Sequence, residues 1–507
     1  MMMVVIDGEK LTVEDVHKVA RERVKVGLAE ECLEKIKGSR KIVEEKLRSD
    51  ETVYGVNTGF GDLANIKIDR SKTEDLQKNL VRSHASGVGD PLDEDIVRAV
   101  MLLRINTLAK GYSGIRFQTV NTLIDMLNEG VHPVIPSQGS VGASGDLAPL
   151  AHMSLVLMGE GEAIYEKERY SGKEAMEKGG IDTVELEAKE GLALLNGTQV
   201  MTAIGALAVH DAEHLIWSAL TAGAMSLEAL QGTSTAFDER IHQVRPHPGQ
   251  RRCAEVLRKL LKGSEIIRSH KDCDKVQDPY TLRCMPQVYG SAWDSLDHVR
   301  DVLEVEMNSA NDNPLVFQDG DIISGGNFHG QPIALAMDLF GAAISEIGNI
   351  SERTTDKLMY EEESGLPPFL TEEGGLNSGM MIAQYTAASL VSENKVLSHP
   401  ASVDSIPTSA GQEDHVSMGT IAARHAADIL ENVQNVVAIE LMAASQALEY
   451  FDLEPGKGVK AAYELIRSQI EPLKRDRPLY KDIKKIKDLV ASGELISKVR
   501  AELKEPL

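Results

Sequence analysis

Four long stretches of this chain contain no proline: residues 198–231, 292–307, 333–359 and 412–450. Proline removes a backbone donor and clashes with the preceding turn, so stretches free of it can run as uninterrupted helices. At 1.5 Å per residue the first would span about 50 Å. These stretches carry Ala, Leu and Met around much of the helix circumference. Short neighbours cannot cover such surfaces, so the pattern predicts a mainly α chain built as a long-helix bundle shared between subunits. The Met-rich and Ala-rich faces are therefore read as core.

A chain of 507 residues with 42% hydrophobic content buries a large core and is expected to divide into domains. The expected division is a loop-rich N-terminal lobe over 1–197, the long-helix bundle over 198–455 and a helical cap over 456–507, where the chain becomes charged and proline-punctuated. Cys32, Cys253, Cys273 and Cys284 form no Cys-x-x-Cys pair. That spacing favours neither a metal site nor a disulfide framework, and fits a reducing cytoplasm. The first twenty residues lack a basic region followed by a long apolar run, and no segment reaches membrane-spanning length without charge. A net charge of -24 repels phosphate backbones, so neither nucleic acid nor a membrane is an expected partner.

The least ordinary composition lies at 139–161, GSVGASGDLAPLAHMSLVLMGEG. A glycine- and serine-rich loop gives way at once to an apolar run with helical spacing at Leu147, Leu150, Ala151, Ser154, Leu155 and Met158. Asp146 is placed to cap that helix, Pro149 suits its first turn, and Gly159 and Gly161 end it. Ala143, Ser144 and Gly145 then sit at the positive end of a helix dipole. A phosphate loop would end in Gly-Lys-Ser/Thr, and there is no lysine in this stretch. A nucleophile elbow needs glycine two residues either side of the serine, where Gly142 and Asp146 stand. A structural turn ahead of a buried helix is one remaining reading. The other is chemical: in a compressed turn the unhindered Gly145 amide attacks the Ala143 carbonyl. Loss of two waters, one from Ser144, then leaves a methylidene-imidazolone.

Ala-Ser-Gly within GSVGASGDLAPLAH resembles the cofactor-forming segment of the aromatic amino acid ammonia-lyases, and the resemblance runs through separate motifs from Tyr54 to Glu413. It implies a helical bundle of the ammonia-lyase and fumarase-like type. It also implies a 4-methylidene-imidazol-5-one formed autocatalytically from Ala143-Ser144-Gly145, with no metal or pyridoxal phosphate. The Gly-Ser-Ser and Pro-x-Lys-x-Asn-Pro signatures of the argininosuccinate lyase and fumarase group are absent.

Each further motif has an ordinary structural reading beside the one the resemblance implies. Tyr54, in the turn-rich VYGVNTGFGDLAN, is by default a packed ring; the family's matching tyrosine is the catalytic acid/base, which requires a lowered pKa. His84 would usually cap or pack, but Ser83-His84 is the pair typical of histidine-type members, where tyrosine-type members carry His-Leu and phenylalanine-type members Phe-Leu. Asn196, in an Asn-Gly turn ahead of the first long helix, matches a substrate-facing asparagine. VQDPYTLRC offers Gln277, Tyr280 and Arg283 around an Asp278-Pro279 turn. A lone arginine is usually a surface ion partner, yet its fork also matches a carboxylate, and the family's arginine is the carboxylate clamp. Residues 306–317, EMNSANDNPLVF, read as capping and support. Phe328, in SGGNFHGQP, matches a pocket phenylalanine beside the cofactor. Glu413, in PTSAGQEDHVSM, is expected in the first turn of the last long helix. It is glutamate in histidine-type members and glutamine in phenylalanine and tyrosine types.

Taken together the resemblance implies elimination of ammonia from L-histidine to give trans-urocanate, the first step of histidine degradation, by a cytoplasmic homotetramer with shared active sites. Ser144 would be the cofactor precursor, Tyr54 the base, Arg283 the carboxylate clamp, and His84 and Glu413 the imidazole partners. An aminomutase with the same cofactor and a non-catalytic scaffold are the alternatives.

Overall fold

The computed structural model describes residues 3–48, 52–59, 68–69, 72–273 and 276–504. Helices dominate, and the four longest are Gln199–Ala229, Met285–Met307, Gln331–Met359 and Gly419–Leu448. The last begins seven residues later than the proline-free stretch predicts. Its approach carries left-handed residues at Ser409, Ala410, Gly411 and Met418, which no helix accommodates. The second begins seven residues earlier, because Pro286 falls in its first turn, where no intrahelical donor is needed. Gln331–Met359 is long and apolar enough to cross a membrane by length and composition, but 61% of its apolar window is buried within the fold, as in a core helix.

Packing divides the chain into two units, each assembled from three stretches. The first comprises Met1–Leu207, Arg300–Asp338 and Pro400–Arg424. Its centre is the Glu94–Ala109 helix, buried from Val97 to Ala109 and flanked by Val13–Ala20 and Phe117–Glu129. Buried Arg98 serves both neighbours: its guanidinium donates to the Val19 and Ala20 carbonyls and to the Leu127 carbonyl, satisfying acceptors at two helix C-termini. Burial pushes that guanidinium down to about 10, and desolvation together with Arg98 holds His132 at about 3, a neutral acceptor of the Arg98 N–H.

Strands in this unit are short. Met3–Ile6 pairs in parallel with Lys25–Leu28, which lies between the helices Val13–Ala20 and Glu30–Arg48. The polar segment that follows Gly161 forms a hairpin, Glu162–Tyr165 with Glu168–Ser171, extended by His132–Pro133. Val88–Pro91 pairs with Pro136–Gln138 directly before the glycine-rich loop, and so fixes where that loop begins.

The second unit comprises Ala208–Val299, Leu339–His399 and His425–Leu507. Its long helices approach closely where one side is glycine: a Cβ at Gly223 would lie 2.8 Å from the Met285 sulfur. Glu440 is fully buried between helices and accepts from Ser226 (2.9 Å) and Ser351 (2.6 Å). Desolvation pushes its carboxyl up to about 8 against those two bonds. The C-terminal helices Lys457–Gln469, Tyr480–Ala491 and Glu494–Leu503 pack on one another, and Pro248–Leu260 lies against the first.

Candidate active site

The glycine-rich loop folds as a compressed turn against the entry to the Gln199–Ala229 helix. Gly142 and Gly145 are left-handed, with φ +68° and +79°. A Cβ at Gly145 would stand 2.0 Å from the Gly197 carbonyl oxygen, so no other residue fits. Asp146 N–H donates to that carbonyl (2.7 Å), and Gly197 N–H donates to the Ser144 carbonyl (3.3 Å). The Gly145 N–H itself enters no hydrogen bond among the described residues. On the other side, Met418 N–H holds the Val141 carbonyl (2.9 Å) and Ser417 Oγ the Gly142 carbonyl (3.2 Å).

Asp146 does not cap its own helix through its side chain. Its carboxylate turns away and accepts from the Val200 (2.9 Å) and Met201 (3.0 Å) amides, from Ser140 Oγ (3.1 Å) and from Thr420 Oγ1. The expected cap thus serves the first turn of a different helix, one whose orphan amides are buried and have greater need of an acceptor. Full burial raises the Asp146 carboxyl above its ordinary value, and these four bonds oppose the rise.

A cavity of about 440 Å³ opens over this loop, entirely within the first unit. Tyr54, Ala143, Ser144, Asn196, Phe328 and Glu413 all line it. Tyr54 sits in a turn closed by Val53 N–H on Asn57 Oδ1 (2.8 Å). Gly55, at φ +74°, passes so close to Leu192 and Pro314 that a side chain would collide. Residues 60–65 of the tyrosine motif lie outside the described residues.

Asn196 ends the Glu190–Leu195 helix and is held from beneath. Fully buried Arg104 donates to the carbonyls of Asn196 and Ala193, both at 2.5 Å, and Asn196 Nδ2 donates to the Asn313 carbonyl (2.9 Å). Asn313 Oδ1 in turn accepts from Gly325 N–H (2.8 Å), tying in the loop that carries Phe328. A buried ion pair, Lys189 with Asp312 at 2.8 Å, completes this support, as the turn-rich 306–317 segment predicts.

Glu413 lies in the loop before the last long helix, not in its first turn, because that helix starts at Gly419. Its Oε2 accepts from Thr408 Oγ1 (2.8 Å), and its backbone pairs with Thr408 in both directions. That leaves Oε1 facing the glycine-rich loop, where Ser144 Oγ donates to it at 3.3 Å.

His84 and the 277–283 set do not join this cavity. His84 ends the Thr73–His84 helix with Nδ1 against the Leu80 carbonyl (2.8 Å). Gln277, Tyr280 and Arg283 belong to the second unit. There Tyr280 is 70% exposed, and the Arg283 guanidinium lies over its ring at 4.8 Å. Arg283 Nε is buried without a hydrogen-bond partner among the described residues. Sequence reasoning passed over six further polar lining residues, Asn313, Ser324, His329, Gln412, Asp414 and His415. The signal was present for His329 and His415, which stand one and two positions from Phe328 and Glu413.

A compressed turn, a hydroxyl on its central serine, and a cavity walled by tyrosine, asparagine, phenylalanine and glutamate define a site for chemistry on a small polar molecule. The sequence profile of the aromatic amino acid lyase family matches residues 11–468, and the chain belongs to that family. It is 56% identical to the histidine ammonia-lyase of Alkaliphilus oremlandii over 501 residues, 98% of this chain and 99% of that one. The crystal structure of histidine ammonia-lyase from Trypanosoma cruzi superposes with a TM-score of 0.93 at 42% identity, covering 100% of this chain and 96% of the other. The tyrosine aminomutase of Streptomyces globisporus superposes with a TM-score of 0.94 at 40% identity over 99% of both chains.

Proposed function

We propose that this protein is a cytoplasmic ammonia-lyase that converts L-histidine to trans-urocanate and ammonia. The observation that carries the reading is Glu413, a carboxylate where a glutamine would mark other substrates, standing 3.3 Å from Ser144 Oγ in the cavity shared with Tyr54.

The turn fits a methylidene-imidazolone formed from Ala143, Ser144 and Gly145. Ring closure needs the Gly145 nitrogen free and its α-carbon bare, and both conditions are met. The Gly145 nitrogen bonds to the Ala143 carbonyl carbon, and two waters leave, one carrying the Ser144 hydroxyl. The group supplies an electrophile that activates the substrate for loss of ammonia. Tyr54 takes the β-proton, which is too weakly acidic for an unaided base. Glu413 holds the imidazole edge, and Asn196, braced by Arg104 and Asn313, orients the amino acid.

Gln277, Tyr280 and Arg283, with Arg283 as the carboxylate clamp, come from a neighbouring subunit of a homotetramer, and His84 reaches the imidazole in that assembly. The exposed side chains of Leu335, Leu339, Ile382, Tyr385 and Val396 on the helices Gln331–Met359 and Met381–Leu397 support such an assembly. The cytoplasmic assignment is supported by four free cysteines.

The test is an ultraviolet assay of the purified protein with L-histidine, L-phenylalanine and L-tyrosine in parallel, each product identified by mass. Urocanate from histidine alone is expected. Cinnamate or coumarate instead would refute the role of Glu413, and a β-amino acid would make the protein an aminomutase.

A further inference from the structure

The two loops that wall the cavity, 324–330 with Phe328 and 405–418 with Glu413, are joined through one imidazole. His329 Nδ1 accepts from Gln331 N–H at 3.3 Å, at the first residue of the Gln331–Met359 helix. A backbone N–H can only donate, so Nδ1 carries no proton and the ring is neutral with its proton on Nε2. That Nε2–H points at the carbonyl of His415, 3.3 Å away. The two imidazoles lie side by side, ring centroids 5.6 Å apart at an interplanar angle of 30°. The tautomer is therefore set by the helix start, and it leaves a single donor directed at the chain two residues beyond Glu413.

We propose that His329 is a positioning residue for substrate recognition: its Nε2–H clamps the 412–418 segment and so holds the Glu413 carboxylate over the cavity. The proposal rests on the assignment of Glu413 as imidazole partner. Among the described residues, Glu413 is otherwise held through Thr408 and by Ser144 Oγ. Its own pairing is to Thr408, across a tip in which Ser409 and Ala410 are held at φ +51° and +54°. Non-glycine residues in that region tend to relax when a tether is lost. On the other side of Glu413, the next anchors are Val416 N–H on Ser405 Oγ (3.0 Å) and Met418 N–H on the Val141 carbonyl. The His415 carbonyl is thus the contact through which the Phe328 loop sets the position of the glutamate.

Three variants separate the two nitrogens. His329→Asn keeps an acceptor near Nδ1 and loses the donor, His329→Gln keeps a donor near Nε2, and His329→Ala loses both. With L-histidine, Ala and Asn are expected to raise KM about tenfold at nearly constant kcat, the loss of one positioning hydrogen bond acting equally on bound substrate and transition state. Gln is expected to return KM to within about twofold of the parent. Backbone hydrogen exchange across 405–418 should rise in Ala and Asn and fall back in Gln, which needs no turnover to read. Rescue by Asn and not Gln would overturn the proposal, as would parental KM and exchange in all three. If the parent forms no urocanate, the functional assignment fails while the exchange pattern still decides whether the clamp exists. Should the Ala variant fail to fold, the Asn and Gln pair carries the same comparison.

Discussion

Removing the Asp146 carboxylate tests how the glycine-rich loop is held, and its cost can be worked from the contacts. In Asp146→Ala the Val200 and Met201 amides lose their acceptor inside the protein. A buried donor left unsatisfied costs about 1–3 kcal/mol, so the pair costs about 2–6 kcal/mol. Two terms reduce this. The Ser140 and Thr420 hydroxyls can rotate to each other, since they already stand 3.0 Å apart. The variant also no longer buries a carboxyl that the interior disfavours, the same desolvation that raises its pKa. A loss of about 2–4 kcal/mol remains. Asp146→Asn should cost only about 1 kcal/mol, because Oδ1 can serve both amides while the NH₂ group meets hydroxyls able to accept. Urea unfolding followed by circular dichroism, at fixed protomer concentration, measures both variants. An Asn variant as unstable as the Ala variant would show that charge, not acceptor geometry, holds the loop. A loss below about 0.5 kcal/mol for Ala would refute the reasoning altogether.

Further outcomes follow from the site and the bundle. Ser144→Ala should abolish turnover while leaving the circular dichroism spectrum and unfolding midpoint unchanged; full residual activity would sink the mechanism. Tyr54→Phe should lower kcat about 10²–10⁴-fold with KM little changed, the range for a lost acid/base group. Glu413→Gln should reduce kcat/KM for L-histidine about 10- to 100-fold, the worth of one charge-assisted hydrogen bond, and parental kcat/KM would remove Glu413 from imidazole binding. Glu440, raised to about 8 by burial, binds its proton in the folded state at pH values where the unfolded chain has released it. Stability from this group therefore falls as pH rises from about 5 to 8, by up to about 1.4 kcal/mol per unit. Glu440→Gln should match the parent near pH 5 and exceed it at pH 8 in urea unfolding, and a gap independent of pH would contradict the assigned titration.

The pieces legible in the sequence are those set by local chemistry. Proline-free apolar stretches announce long helices because backbone donors and side-chain periodicity act within a few residues. The Ala-Ser-Gly turn is legible because only glycine tolerates φ near +79° against the Gly197 carbonyl. Tyr54, Asn196, Phe328 and Glu413 could be named in advance only through the family resemblance, since the turn formers around each are equally compatible with a structural role. Their convergence on one cavity, however, is a property of the folded first unit. So is the acceptor role of Asp146, which looks like a local cap and instead serves amides 54 and 55 residues away. Glu413 illustrates the same limit: the sequence puts it in a first helical turn, yet left-handed residues at 409–411 and 418 keep it in a loop, where it faces Ser144. His329 stands beside Phe328, a signal that it lies near the site, but nothing local shows that its two nitrogens are committed to different elements. Local stereochemistry depends on neighbours along the chain and can be read from them. Hydrogen bonds between buried groups depend on which distant donors are left without water, and only the tertiary structure decides that.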